Sequence, residues 1–598
     1  VTAAKTIVQT WLARCKAEPG QTALRHKRRG IWRSITWQEY HDAVLHIALA
    51  IERAGVDSGS VVSIVSESRP EYLYADLAAQ ALGCVSHGVY PTCSSRRVGE
   101  QLQLAGADIV FVENAEQAEK VLEAQSQLSS LRVIVVFDAR GLRELNSDRV
   151  VGLAAFMGTQ AIGEKDLQHF EDRIGSTRTD DVAFLFGTAG STGVPRLAAV
   201  THEVALRRVR SMQTAFETRA GDRTLCFVPL ANAAERMFSA VLPLLENLEV
   251  DFPESPATVM NDLREVQPDW VHAPPRFWEK LLARTESVAM LASSLARHMY
   301  QRSFDAQRSD WIAQLSRRHL RRSMGLARAR VGYCGGAAVS PALHRWFNAI
   351  GLPLLDIYES AETCGPAMRL PMTGFSGDAE LETEVRVGVE NELELRSTAQ
   401  FSGYWNGKQL IPVSHTEDGW LTTGDAVHVT DEGLSVVGRV SNRFPTHDGR
   451  TMLPEIIERE LHATPYIAHA VVLGEERGRC SCLLALEMDS VLSYAQTQAI
   501  PFVDFAHLVG NEAIQSLLHR QIEGVNDRME EGVRIERFSV LPSPSPGDEG
   551  MTPTLRMQRA MVVKAYEAVA AVPNKQDATW SSRPQERSLN EGSSGSAA

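Results

Sequence analysis

Val182-Ala-Phe-Leu-Phe-Gly-Thr-Ala-Gly-Ser-Thr-Gly-Val-Pro-Arg196, followed by Leu197-Ala-Ala-Val-Thr-His202, decides how this chain is read. An apolar run of strand character ends in glycines separated by small and hydroxylated residues, and an arginine follows. Glycines let backbone amides approach a phosphate closely, hydroxyls add donors, and a cation balances the charge. The same composition also makes an ordinary turn between two strands. No Gly-Lys-Ser/Thr follows, so this is not a Walker loop, and it does not open a helix as a Rossmann fingerprint does. Leu197–Val200 predicts a short strand. Thr201 then caps a helix carrying Val204, Val209, Met212 and Phe216 inward. The loop joins strand to strand.

The chain has 598 residues, too many for one hydrophobic core, so at least two domains are expected. With 44% hydrophobic and 23% charged residues it has the composition of an ordinary globular protein. A net charge of -13 argues against a general nucleic-acid binder. No apolar run is long enough to span a bilayer, and the N-terminus lacks a signal-peptide core. Eight cysteines are scattered without a Cys-x-x-Cys or a histidine at zinc spacing. Most lie in apolar stretches, where a small buried thiol is the simpler reading, and a reducing cytoplasm is expected.

Short β-rich runs alternate with helical patterns through the first two thirds. Val61–Val65, Cys84–Tyr90, Asp108–Val112, Arg132–Phe137, Val182–Phe186, Thr224–Val228, Arg330–Tyr333 and Pro353–Ile357 predict strands. Amphipathic segments such as Trp37–Ala54 and Ala342–Ile350 lie between them. Such alternation implies α/β layers around mainly parallel sheets. From Glu392 the pattern turns to short strands. After about Asn442 a separate unit begins, with a helix at Pro454–His462 and an apolar strand at Ala470–Leu473. The last stretch, from about Val572, is polar and predicts a disordered tail.

Other segments give the opening loop its context. Thr188-Ala-Gly-Ser-Thr-Gly-Val-Pro-Arg196 resembles the Thr-Ser-Gly-Thr-Thr-Gly-x-Pro-Lys signature of the AMP-forming acyl- and aryl-CoA synthetases, the adenylate-forming superfamily. Gly335-Gly-Ala337 with Ser340-Pro341 is similar to that family's adenine-side loop, and Tyr358-Glu-Ser-Ala-Glu-Thr363 to its Tyr-Gly-x-Thr-Glu-Thr. Asp418-Gly-Trp-Leu-Thr-Thr-Gly-Asp425 and Gly438-Arg439 resemble the ribose-binding segments. Thr552-Pro-Thr-Leu-Arg556 resembles the C-terminal Thr-Pro-Thr-Leu-Lys. Trp32–Trp37, Val89–Thr92, Pro229–Arg236 and Pro275–Lys280 have counterparts in the long-chain fatty acyl-CoA synthetase branch. The resemblance covers roughly residues 5 to 570 in the family's order.

That resemblance implies an α/β fold. A large N-terminal domain (1–441) has layered, mainly parallel sheets with helices plus a β-rich subdomain. A small mobile α+β C-terminal domain (442–571) and the tail (572–598) follow. It implies ATP-dependent conversion of a long-chain or bulky apolar carboxylic acid to an acyl-adenylate, then to a CoA thioester. ATP, Mg²⁺ and coenzyme A are the expected cofactors. Thr188, Gly190, Ser191, Thr192 and Gly193 would wrap the β- and γ-phosphates, with Arg196 as the nearby cation. Glu362 would hold Mg²⁺, a hard cation that favours carboxylate oxygen. Gly336 and Ala337 would border the adenine and Tyr358 would lie flat on it. Asp425 would accept from the ribose diol and Arg439 would donate to it. Arg556 would stand at the catalytic C-terminal position, and Asn442 would be the hinge between two domain orientations. Peripheral membrane contact fits a fatty-acid user, although no clear amphipathic anchor stands out.

Several signature positions differ. Lysine has become Arg196 and Arg556, and the glycine after the first has become Leu197. Glycine and threonine have become Glu359 and Ala361, a histidine has become Asn232, and the hinge Lys-Asp is Ser441-Asn442. Arginine is planar and differently hydrated, so these exchanges are not conservative where geometry is tight. Glu359 adds negative charge near the phosphates. The set also fits a catalytically weakened relative that binds nucleotide or acyl ligand, or a ligase that uses a carrier-protein thiol. Acyl-pocket residues are expected around Asn232–Phe238 and Gly335–Gly336.

Overall fold

The computed structural model describes residues 5–541 except 143–144, 146, 189–195, 292–299, 301–303, 305–310, 338, 371–377, 414–415, 417, 431–432, 446–450, 475–479 and 530–532, together with Arg559 and Val562. The phosphate-loop residues Gly190, Ser191, Thr192 and Gly193, the expected catalytic Arg556 and the tail lie outside the described residues.

The largest sheet has nine strands. In spatial order they are Gln409–Ile411, Gly403–Asn406, Arg196–Thr201, Val182–Thr188, Val85–Val89, Val61–Val65, Ala107–Val112, Val133–Val136 and Val150–Gly152. From Val182–Thr188 onward neighbouring strands are parallel, whereas Arg196–Thr201 and Gly403–Asn406 add antiparallel edges. The central parallel strands are buried without alternation because helices cover both faces. Every residue of Val61–Val65 is buried. Fully burying each such valine or isoleucine contributes about 1.5–3 kcal/mol. Trp37–Arg53 packs chiefly against the helix Pro70–Ala81 and buries Val44, Ala48 and Ile51, and a capping box of Thr36 and Glu39 starts it.

A second sheet orders Trp270–Ala273, Val331–Gly335, Leu354–Ser360 and Gly365–Leu370, the last antiparallel to its neighbour. A third, wholly antiparallel sheet contains Thr383–Val387, Glu392–Ser397, Leu421–Thr430 and Gly433–Arg439. A fourth unites Arg223–Leu225, Glu249–Phe252, Thr22–Arg28 and Ile31–Thr36. After the turn Val440–Asn442, a three-stranded sheet of Ile467–Gly474, Cys480–Leu486 and Ile535–Val540 packs with the helices Pro454–His462 and Glu512–Asn526.

The loop that opened the sequence reading does join strand to strand. Val182–Thr188 pairs antiparallel with Arg196–Thr201, and the Thr201 hydroxyl accepts from the amide of Val204. Val209, Met212 and Phe216 are buried, while Val204 is half-buried. All eight cysteines are buried and unbridged, in line with the simple core reading. Among the described residues, no helix is long and apolar enough to cross a membrane.

Candidate functional site

The carboxyl ends of the parallel strands in the two main sheets open on one cleft of ≈ 3340 Å³. Open α/β sheets place ligands at this end of the strands. Thr188, Arg196, Gly336, Ala337, Tyr358, Glu362, Asp425 and Arg439 all line it, so the structure gathers every described site residue expected from sequence.

Glu362 stands at the tip of the hairpin between Leu354–Ser360 and Gly365–Leu370. Reciprocal bonds tighten that tip: the Ser360 amide donates to Thr363 Oγ1 at 3.0 Å and the Thr363 amide to Ser360 Oγ at 3.1 Å. Cys364 and Gly365 complete the reversal with φ of 55° and 90°. Beneath it lies Arg208, fully buried, donating to the carbonyls of Thr363, Leu381 and Ala399. A buried guanidinium with such satisfied donors fixes the turn that presents Glu362.

Tyr404, which sequence reasoning missed, connects two expected residues. Its hydroxyl donates to Glu362 Oε1 at 3.1 Å, and the Arg196 guanidinium lies 5.2 Å from its ring centroid. Tyr404 arrives from the antiparallel strand Gly403–Asn406, laid against Arg196–Thr201. With Oε1 engaged, Glu362 Oε2 accepts no hydrogen bond among the described residues.

The opposite wall carries the polar cluster of the third sheet. Asp425 and Arg439 face each other across adjacent strands, with Nε of Arg439 3.2 Å from Oδ1 of Asp425. Arg439 Nη1 also donates to the carbonyl of Thr423 at 2.8 Å. The Tyr358 hydroxyl donates to Asp425 Oδ2 at 2.7 Å. Tyr358 is thus fixed by its phenol while its ring borders the cleft. Asn442 donates to Glu455 in the first turn of Pro454–His462, and the Arg439 amide lies 3.4 Å from the same carboxylate.

Glu359 also lines the cleft, and there it joins a buried chain of three ionisable groups. His272 Nδ1 lies 2.8 Å from Glu235 Oε2, and its Nε2 lies 3.2 Å from Glu359 Oε2. Burial by itself would lower the pKa of His272, yet the carboxylates of Glu359 and Glu235 push it up to about 10. The imidazolium is therefore the resident form at neutral pH. Because the folded pKa exceeds the ordinary value of 6.5, its stabilisation is complete below about pH 6.5 and is lost as pH rises through about 10. Thermal unfolding followed across that window should show a falling midpoint, and His272→Gln should lose that part of the slope. An identical slope in the variant would remove His272 as its source.

The sequence and the fold have counterparts among known proteins. A family model described as AMP-binding enzyme matches residues 11–405. The long-chain-fatty-acid–CoA ligase FadD15 of Mycobacterium tuberculosis is 26% identical over 577 residues, covering 92% of this chain and 93% of that protein. The long-chain-fatty-acid–CoA ligase ACSBG1 of Homo sapiens is 23% identical over 605 residues, covering 92% and 82%. Among solved structures, the A domain of carboxylic acid reductase from Segniliparus rugosus, in complex with AMP and a co-purified carboxylic acid, superposes with a TM-score of 0.73. Its identity is 16%, covering 95% of this chain and 94% of that one, so it shows a shared fold. The O-succinylbenzoate coenzyme A synthetase of Bacillus subtilis, in complex with ATP and magnesium ion, gives 0.64 at 16% identity, covering 92% and 98%. With about two thirds of its length matched by the family model, this chain belongs to the AMP-binding enzyme family.

Proposed function

We propose that the chain activates a long-chain or otherwise bulky apolar carboxylic acid with ATP. The acyl-adenylate and pyrophosphate form first, and the thiol of coenzyme A then displaces AMP. One observation carries this reading: Thr188, Glu362 and the Asp425–Arg439 pair line a single cleft at the carboxyl ends of the strands. The FadD15 relative, similar over nearly the whole chain, supports the choice of long-chain acids.

In this scheme Thr188 and the loop residues Gly190, Ser191, Thr192 and Gly193 hold the β- and γ-phosphates, with Arg196 supplying positive charge. Asp425 accepts from the ribose diol, Arg439 donates to it, and Tyr358 lies against the adenine beside Gly336 and Ala337. Glu362 suits a hard cation, because Tyr404 orients the carboxylate and leaves Oε2 available. Mg²⁺, when bound, neutralises charge on the phosphates as the carboxylate attacks. By its place in the Thr552–Arg556 motif, Arg556 would bridge the attacking carboxylate and the α-phosphate.

We place the boundary of the small domain at Asn442, so that 1–441 and 442–571 reorient between the half-reactions. The turn Val440–Asn442 and the Asn442–Glu455 bond support this choice.

Arg556→Lys is expected to raise adenylation about tenfold or more, since lysine is the compact point charge for which such a bridge is suited. Single-turnover formation of acyl-adenylate reads this out. A rate unchanged or lowered would show that the pocket is fitted to arginine. The overall reading is tested with ATP, Mg²⁺, palmitic acid and coenzyme A, which should give AMP and acyl-CoA in equal amounts. Acid-dependent release of pyrophosphate with no thioester would show that the adenylate forms and that coenzyme A is not its acceptor.

A further inference from the structure

The chain Glu235–His272–Glu359 is unlike anything an apolar acyl pocket requires. Its side chains are 3%, 3% and 7% exposed. Each member is held from a different direction. Asn232 caps the short helix of Glu235 by accepting its amide at 2.9 Å, and Ser239 donates to Glu235 Oε1 at 2.6 Å. His272 stacks against Phe238 with ring centroids 4.9 Å apart. Glu359 packs its carboxylate against Gly335, where an added Cβ would clash with it. Two carboxylates share one imidazolium, so the group carries net negative charge.

Glu359 and His272 face the cleft, whereas Glu235 lies behind them. His272 occupies Glu359 Oε2, while Oε1 accepts no hydrogen bond among the described residues. A plain hydrocarbon chain laid against this oxygen would strip its water and return nothing. The carboxylate of the acid itself has no donor to offer this oxygen. A hydroxyl or ammonium group would complete the site. Glu359 lines the cleft between Tyr358 and Glu362, so on the carboxylate-activating reading it faces the carboxyl end of the acid.

We propose that Glu359, positioned by His272 and Glu235, determines specificity by accepting a hydrogen bond from a hydroxyl or ammonium group on the acyl chain near its carboxyl end. This rests on the carboxylate-activating reading above and narrows its substrate to donor-bearing acids.

The test compares palmitic acid with its α-hydroxy, β-hydroxy and β-amino derivatives on the full chain. Both ATP–pyrophosphate exchange and calorimetric binding of each acid are measured. At least one donor-bearing acid should exceed palmitic acid by about tenfold to a hundredfold in each measurement, the range of a hydrogen bond to a charged group. Hydroxy acids leading would identify a hydroxyl, and the amino acid leading would identify an ammonium. Glu359→Ala should reverse the order by admitting palmitic acid. Glu359→Gln, which keeps shape and one acceptor, should retain part of the hydroxyl preference and lose the ammonium preference. Equal use of all four acids, with ratios unchanged in both variants, would overturn the proposal and leave the activation reading intact. Binding ratios as expected without exchange for any acid would do the reverse. If Glu359→Ala does not fold, Glu359→Gln and the wild-type ratios decide the matter.

Discussion

Glu362→Gln should lower acid-dependent ATP–pyrophosphate exchange by about 10²–10³-fold, the loss expected when one preorganised charge-stabilising group is removed. The substitution keeps size and shape, and an amide oxygen still accepts from Tyr404, so the hairpin tip should stay folded. Only the negative charge offered to a hard cation is lost. The effect should fall on turnover more than on retention of ATP, because Thr188, Arg196, Asp425 and Arg439 remain. Added Mg²⁺ at high concentration should recover part of the rate. Tyr404→Phe should give a much smaller loss, since it removes orientation but not charge. Activity retained within a few-fold in Glu362→Gln would show that the carboxylate is not the metal ligand.

Arg236→Met should destabilise the large domain by about 3–5 kcal/mol, because it leaves a buried carboxylate uncompensated. Arg236 is fully buried, pairs with Asp76 at 2.8 Å, donates to the Leu230 carbonyl at 2.7 Å and also bonds Tyr72. Its guanidinium lies 5.1 Å and 5.8 Å from the ring centroids of Phe184 and Phe186, on the strand that leads to Thr188. The double substitution Arg236→Met with Asp76→Leu should recover most of the loss, since both charges then leave the core together. Chemical denaturation followed by tryptophan fluorescence measures both. Equal destabilisation by the single and double variants would mean that packing, and not the unpaired charge, sets the cost.

The parallel strands were legible because burial on both faces demands continuous β-branched and aromatic runs, as in Val61–Val65 and Val182–Phe186. A helix start was legible where a cap announces it, at Thr201. The residues gathered in the cleft could be named from local motifs, since Glu362, Asp425 and Arg439 each sit within a recognisable run. What the sequence hid comes from topology. Glu235, His272 and Glu359 lie 37 and 87 positions apart and meet only because the second sheet packs against the short helix at Ala233–Arg236. Read singly, Glu359 was an added charge; its meaning depends on a histidine no local pattern attaches to it. Tyr404 reaches Glu362 through the antiparallel extension of the large sheet, and Arg208 through a helix whose buried arginine reads as surface charge.

On the proposed function, this cleft joins a carboxylic acid to AMP. Exchange of labelled pyrophosphate into ATP, measured with Mg²⁺ and without coenzyme A, isolates that step from thioester formation. Exchange should require an added long-chain acid, be strongest with a hydroxyl- or ammonium-bearing acid, and be lost in Glu362→Gln. ATP binding detected by calorimetry, with no exchange for palmitic acid or any of its three derivatives, would contradict that function.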